Sequence, residues 1–279
     1  MSPLWRDRLS VYVAPDRLSA VRWRRGLHPE ISDKTSRPCE PLSGSESDLG
    51  SITQTLAALL LDQPGSADVV LVLSSHFSRY ALIPWSEELT GAEEIDALVR
   101  HHFTRIYGDA ARLWSLRLSA ETKGAARVAC ALDTTLLDAL RAVCAGTPHR
   151  LRSIQPALMA VFNGWRRELG EEDGWLVVVE PQRVCSARIA SGGWRQIRTS
   201  RVHPGQTIDL TELLEREMTL SGEIGVPRNV MVFAPFATDL PELPGWSMRR
   251  LKSAEQSGYN PDLDSAYSLA LLGRHGCAR

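Results

Sequence analysis

The sequence predicts an internally duplicated α/β protein, and three observations carry that prediction. The same β-hairpin pattern opens two halves of the chain, apolar runs of strand length alternate with amphipathic helices, and a short charged turn, Glu171-Glu172-Asp173-Gly174, divides the halves. The first hairpin runs from Arg8 to Trp23, with two alternating apolar stretches around Ala14-Pro15-Asp16-Arg17. The second runs from Trp175 to Ile189 and is followed by a turn at Ser191-Gly192-Gly193 and a third run, Trp194 to Val202.

Between the hairpins the elements follow in order. His28 to Gly50 is rich in Pro, Ser and acidic residues without periodicity, which predicts a surface loop. Ser51 to Leu61 reads as a short apolar helix, Asp68 to Ser74 as a strand buried on both faces, and Arg79 to Pro84 as its neighbour. Thr90-Gly-Ala-Glu93 has the form of a capping box opening a helix, with Ile95, Leu98, Val99, Phe103 and Ile106 on one face. Leu113 to Leu118 and Ala125 to Leu132 form an antiparallel pair, and Asp133 caps a helix bearing Leu136, Leu137, Leu140 and Val143.

Leu151 to Ile154 returns as a strand, and Pro156 stands at a first helical position. Leu158, Val161, Phe162, Trp165 and Leu169 then make one helical stripe. After the second hairpin come a helix at Leu210 to Leu220, a strand at Asn229 to Ala234, a loop with three prolines, and the segment Trp246 to Leu251. A last helix, capped at Asn260, places Leu263, Ala266, Tyr267, Ala270 and Leu271 on one face. The predicted division is a first lobe at 1–172 with a subdomain inserted at about 86–149, and a second lobe at 173–260. The helix at 261–273 is expected to pack back on the first lobe.

An apolar share of 43% over 279 residues supports buried cores, and a formal net charge of −1 argues against a general nucleic-acid binder. No apolar run reaches a membrane-spanning length, and the first twenty residues carry no signal-peptide core, so a cytoplasmic protein without direct membrane insertion is expected. The five cysteines are scattered and never in C-x-x-C spacing, which reads as reduced thiols and not as disulfides or zinc ligands.

Compact catalytic motifs are absent: no Walker A loop, no dinucleotide fingerprint and no H-E-x-x-H. His101 and His102 are adjacent and diverge on a helix, Ser74-Ser75-His76 lacks the glycines of a nucleophile elbow, and the acidic pairs Glu87-Glu88 and Glu93-Glu94 suit a helix start. Arg22 and Arg24 alternate with Trp23 and read as a solvated edge. Trp85, after Ile83-Pro84, is the tryptophan least easily buried and a candidate anchor for a partner. At the two hairpin turns a phosphate-binding protein would carry Asp-x-Gly, the Asp for metal or water and the Gly for close approach of backbone amides. Here the turns offer Tyr12-Val13-Ala14 and Val178-Val179-Glu180.

The element order, from the opening hairpin through the inserted subdomain to Ala266-Tyr267-Ser268-Leu269-Ala270, resembles the actin-like family of PilM and the cytoplasmic part of GspL. These proteins serve type IV pilus and type II secretion assembly. The resemblance implies an actin-like, ribonuclease-H-type α/β fold of two lobes with a small inserted subdomain. Members that bind ATP look like Gly-Ile-Asp-Ile-Gly-Ser-Ser-Ser-x-Lys at the first hairpin, where this chain has Tyr12, Ala14 and Ser19 at the Asp, the second Gly and the Lys. The second Asp-x-Gly falls on Val178 to Glu180, and the adenosine-contacting Gly-Gly on Ala234-Pro235. Three departures imply a non-catalytic protein without nucleotide, cofactor or metal.

By the same resemblance its partner is a PilN-like single-span inner-membrane protein, whose cytoplasmic tail it holds while peripheral at the inner membrane. The assembly ATPase and a homodimer are further contacts that the resemblance admits. Phe77, Arg79, Tyr80 and Trp85 surround the strand leading into the inserted subdomain and are the expected partner-binding residues, with the aromatics alternatively core. The competing expectation is an actin-like ATPase or kinase with an atypical site built on Asp16 and Glu180.

Overall fold

In the computed structural model each hairpin lies in a five-stranded mixed sheet, and the two sheets have the same strand order. The structure describes residues 6–24, 26, 29–39, 49–87, 91–120, 124–171, 173–203, 209–222, 225–237 and 239–276. Residue contacts divide the chain into two units, Met1–Phe77 with Thr134–Gly164 and Lys252–Arg279, and Ser78–Asp133 with Trp165–Leu251.

In the first unit the strands are β1 (Asp7–Val13), β2 (Arg17–Arg24), β3 (Glu30–Pro38) and β4 (Ala67–Leu73), closed after a long excursion by β8 (Arg150–Pro156). Their order is β3-β2-β1-β4-β8, with β1, β4 and β8 parallel and the β1-β2-β3 meander antiparallel. Five consecutive buried residues in β1 and six in β2 mean that both faces are covered. The covering helices are α1 (Gly50–Leu61), α3 (Thr134–Ala145), α4 (Ala157–Gly164) and α7 (Ser268–Leu272). α1 packs on α3 and α4 on α7. The turn after α7 comes down on β1 so closely that a Cβ on Gly273 would stand 2.0 Å from Ser10 Oγ, which only glycine allows.

The second unit repeats the pattern with β9 (Gly174–Glu180), β10 (Arg183–Ala190), β11 (Gly193–Arg201), β12 (Asn229–Phe233) and β13 (Ser247–Arg250), ordered β11-β10-β9-β12-β13. The helix α6 (Leu210–Ser221) stands between β11 and β12 as α1 stands between β3 and β4. Asp209 caps it, accepting the Glu212 N–H at 3.0 Å. Trp175, Val177, Leu214, Val230 and Val232 form the core of this sheet. Glu217 is wholly buried on α6 and is held by Gln196, Arg198 and Arg216, so its charge is compensated.

The same unit holds a three-stranded antiparallel sheet, β5 (Ser78–Ile83), β7 (Arg127–Asp133) and β6 (Trp114–Leu118) in the order β5-β7-β6. The helix α2 (Ala92–Tyr107) lies on it through Val99 and Phe103.

Several expectations are corrected. The segment read as a loop contains β3, which was missed because an edge strand with polar residues on both faces has no apolar alternation. The strand β5 does not neighbour β4; it pairs with β7. The inserted sheet therefore spans Ser78 to Asp133, and α3 packs with α1 and β8 instead of with the insert, so the 86–149 boundary shifts at both ends. The Trp165 stripe is broken: α4 ends at Gly164 and α5 (Arg166–Glu171) begins one residue later. Pro156 ends β8 instead of opening the helix.

The cap of α2 is Gly91, whose N–H donates to Glu94 at 3.3 Å, while Thr90 lies outside the described residues. The final helix is shorter than expected. Asn260 accepts from Asp262 and Leu263 in a turn, the α-helical residues start at Ser268, and Leu263 is exposed. Cys277 also lies outside the described residues.

Candidate functional site

The positions that the resemblance assigns to nucleotide lie on β1 and β2 in one unit and at the ends of β9 and β12 in the other, and each is described within its own unit. Tyr12 pairs across the ladder with Ser19 and lies beside Val72, with no exposed surface. Ser19 is buried and its hydroxyl shares a hydrogen bond with Ser36 at 3.2 Å. The Ala14 N–H donates to Arg17 O at 3.0 Å and the Ser74 N–H to Val13 O at 2.9 Å, so both amides at the turn are engaged. Asp16 grips the neighbouring Arg17 at 2.7 Å, and this hydrogen bond raises the guanidinium's pKa.

Next to this turn Ser74 Oγ and His76 Nδ1 are 2.9 Å apart, and the His76 N–H also reaches Ser74 Oγ. This is a local serine turn after β4, the polar strand end expected.

In the second unit Val178 is fully buried and pairs with Phe233, whose ring packs 5.2 Å from Trp165. Glu180 is buried at the end of β9, and its charge helps to raise the pKa of Tyr80 and Cys185, although burial is the larger cause for both. Burial pushes the thiols of Cys185 and Cys130 up to about 12, so both are inert core groups. At the adenosine position Ala234 is buried and its carbonyl accepts from Ala237 and from Arg250, while Pro235 has no N–H to offer. Among the described residues no group of three or more His, Cys, Asp or Glu is placed to hold a metal.

The expected partner residues divide between the two units, with Phe77 in the first and Arg79, Tyr80 and Trp85 in the second. Tyr80 is buried, which assigns it to the core. Arg79, on the opposite face of β5, is half-buried and lies near Tyr107, whose pKa it lowers against the larger raising effect of burial. Trp85 is half-buried after β5, and Phe77, half-buried, ends the first segment of the first unit.

The reading of Arg22 as a solvated edge is overturned. It lines a polar cleft of about 680 Å³ at the start of β1, yet only 6% of it is exposed. Its Nε and Nη2 donate to Asp7 at 3.1 and 2.8 Å, and Nη2 also donates to Pro64 O at 2.8 Å. Gln63 accepts from Nη1 and donates to Asp33. This network ties β1, β2 and β3 to the loop before β4. Alternation along β2 hid it, because both faces of that strand are covered and Trp23 is buried too.

No protein-family model matches the chain, and no curated protein sequence does. Solved structures match it over nearly all its length. The PilM-PilN type IV pilus biogenesis complex aligns with a TM-score of 0.65 at 14% identity, over 95% of this chain and 98% of that one. The cytoplasmic domain of EpsL, an inner-membrane component of the Vibrio cholerae type II secretion system, aligns with a TM-score of 0.60 at 11% identity, over 98% and 96%. A Bacteroides thetaiotaomicron protein with an actin-like ATPase fold aligns with a TM-score of 0.55 at 12% identity, over 84% of each chain. With its repeated sheet order and its inserted three-stranded sheet, the chain has the actin-like α/β fold.

Proposed function

We propose that the protein is a non-catalytic cytoplasmic adaptor in the inner-membrane assembly platform of a type IV pilus or type II secretion system. The observation that carries this reading is an actin-like scaffold whose nucleotide positions are filled: Tyr12 and Val178 are core residues and the Ala14 amide closes its own turn. Packed side chains at these positions support binding of a protein over phosphate chemistry as the task of the scaffold. The adaptor holds the cytoplasmic tail of a PilN-like single-span protein and stays peripheral at the inner membrane through it. The assembly ATPase and a second copy are further contacts within the same reading. Among the described residues no helix is long and apolar enough to cross a membrane.

The enzyme alternative depends on Asp16 and Glu180. Asp16 is tied to Arg17 and Glu180 is buried, which supports the adaptor over this alternative. Co-expression with single-span proteins encoded beside its gene tests the adaptor. One of their tails should be retained by the purified chain through salt washing, and no retention of any of them would count against the reading.

A further inference from the structure

Every exposed sheet edge invites pairing with another chain, and proteins blunt edges with charges, prolines, bulges or brevity. Such devices mark most edges here. β3 carries Lys34, Arg37 and Pro38 and a bulge against β2, and β8 carries Arg150, Arg152 and Pro156. β11 carries Arg195, Arg198 and Arg201, and β13 is four residues long with Arg249 and Arg250. β5 lies beside β11. The strand β6 differs: Trp114-Ser-Leu-Arg-Leu118 has no proline, one charge and an unbroken register against β7.

The geometry of β6 leaves its outer side ready to bond. The Ser119 N–H donates to Val128 O at 2.8 Å, which sets the alternation of the antiparallel ladder. Ser115 and Arg117 therefore turn their backbone groups to β7, and Trp114, Leu116 and Leu118 turn theirs outward. Within this unit the described elements that pack closely on β6 are β7 and α2. Next to the edge Leu113 is 71% exposed, Ile106 51% and Tyr107 37%, and Tyr107 stacks on Phe103 and meets Trp114 edge-on. The charges on α2's last turn, the turn after it and β6 are mainly positive, from Arg105, Arg112 and Arg117, with Asp109 paired to Arg112. The acidic residues of α2, Glu93, Glu94 and Asp96, sit in its first two turns, roughly 15 to 20 Å from its end along the helix, and Asp96 pairs with Arg100.

We propose that β6 is a docking edge that accepts an extended segment of a partner protein as a fourth strand. The segment alternates apolar side chains, which cover Leu113 and Tyr107, with carboxylates that meet Arg117 and Arg112. A second copy of this chain is a poorer occupant, because β6 paired with itself gathers Arg112 and Arg117 of both copies in one short ladder. The proposal names the chemistry of the adaptor's partner and rests on the adaptor reading only for the existence of one.

The test uses the full chain and a fluorescein-labelled, capped peptide of alternating valine and glutamate, about eight residues long, with a valine-lysine peptide as its counterpart. Anisotropy should show saturable binding of the acidic peptide, and hydrogen exchange should slow at the Leu116 and Leu118 amides. Arg117→Glu should weaken that binding about tenfold and reverse the preference toward the lysine peptide, with an unchanged melting curve. Absence of saturable binding, equal binding by Arg117→Glu, or protection at another edge would overturn the proposal. So would a concentration-dependent dimer that protects β6 without peptide. Failure here together with retention of a membrane partner's tail would reject the edge and keep the adaptor; peptide binding without any retained tail would do the reverse.

Discussion

At the scale of single residues, Tyr12 and Gly273 show how the first unit was closed. Tyr12 is wholly buried among β-strand neighbours, so Tyr12→Asp places an uncompensated carboxylate in the core. The variant should lose about 3 to 5 kcal/mol of stability and still fail to bind magnesium-ATP, because Ala14 and Pro235 remain as they are. Tyr12→Phe should stay within about 1 kcal/mol of the parent; chemical denaturation of the pair measures both, and a stable, ATP-binding Tyr12→Asp protein would refute the closed-site account. Gly273 faces Ser10 Oγ, which lies buried without a hydrogen-bond partner. Gly273→Ala should therefore cost about 2 kcal/mol by overpacking, and Ser10→Ala in the same chain should recover most of it. A double-mutant cycle with no coupling between the two would show that the C-terminal turn does not sit on β1 as described.

At the scale of elements, what could be read from the sequence was whatever apolar periodicity records. The buried strands β1, β4 and β9, the amphipathic helices α2 and α6, and the β6-β7 pair were all visible in this way. Elements whose role is polar or supportive were not. β3 has no apolar face, and Arg22 looked solvated because its partners, Asp7 and Gln63, are distant in sequence. The last helix was overestimated because Asn260 and Pro261 form a turn of their own before it.

β3 is joined to the segment after Asn260 by Lys34, which donates to Asp264 at 2.5 Å. Desolvation pulls the Asp264 carboxyl upward, but the bonds from Lys34 and the Asn260 N–H outweigh it and the net pKa is lowered. A depressed folded-state pKa stabilises above the unfolded value, about 3.9, and the benefit fades as pH falls through the lower folded value. The parent should thus exceed Asp264→Asn by about 1 kcal/mol at neutral pH and converge with it in acid; a difference that persists unchanged in acid would remove the ion pair from the account.

At the scale of the whole molecule, the two sheets with one strand order and one helix placement make the duplication explicit. The hairpin repeat announced it in the sequence. The proposed docking edge was not readable, since exposure at Leu113 and the edge position of β6 depend on which strands pair, and β5 pairs with β7 and not with β4. Tyr80 illustrates the same limit: an aromatic beside an arginine looks like a binding pair until the sheet buries one of them. On the proposed function the actin-like scaffold binds a protein and not a nucleotide. Isothermal calorimetry of the intact chain with magnesium-ATP tests it most directly. Titration into the millimolar range should give only heat of dilution, and a saturable isotherm with a stoichiometry near one would contradict the claim.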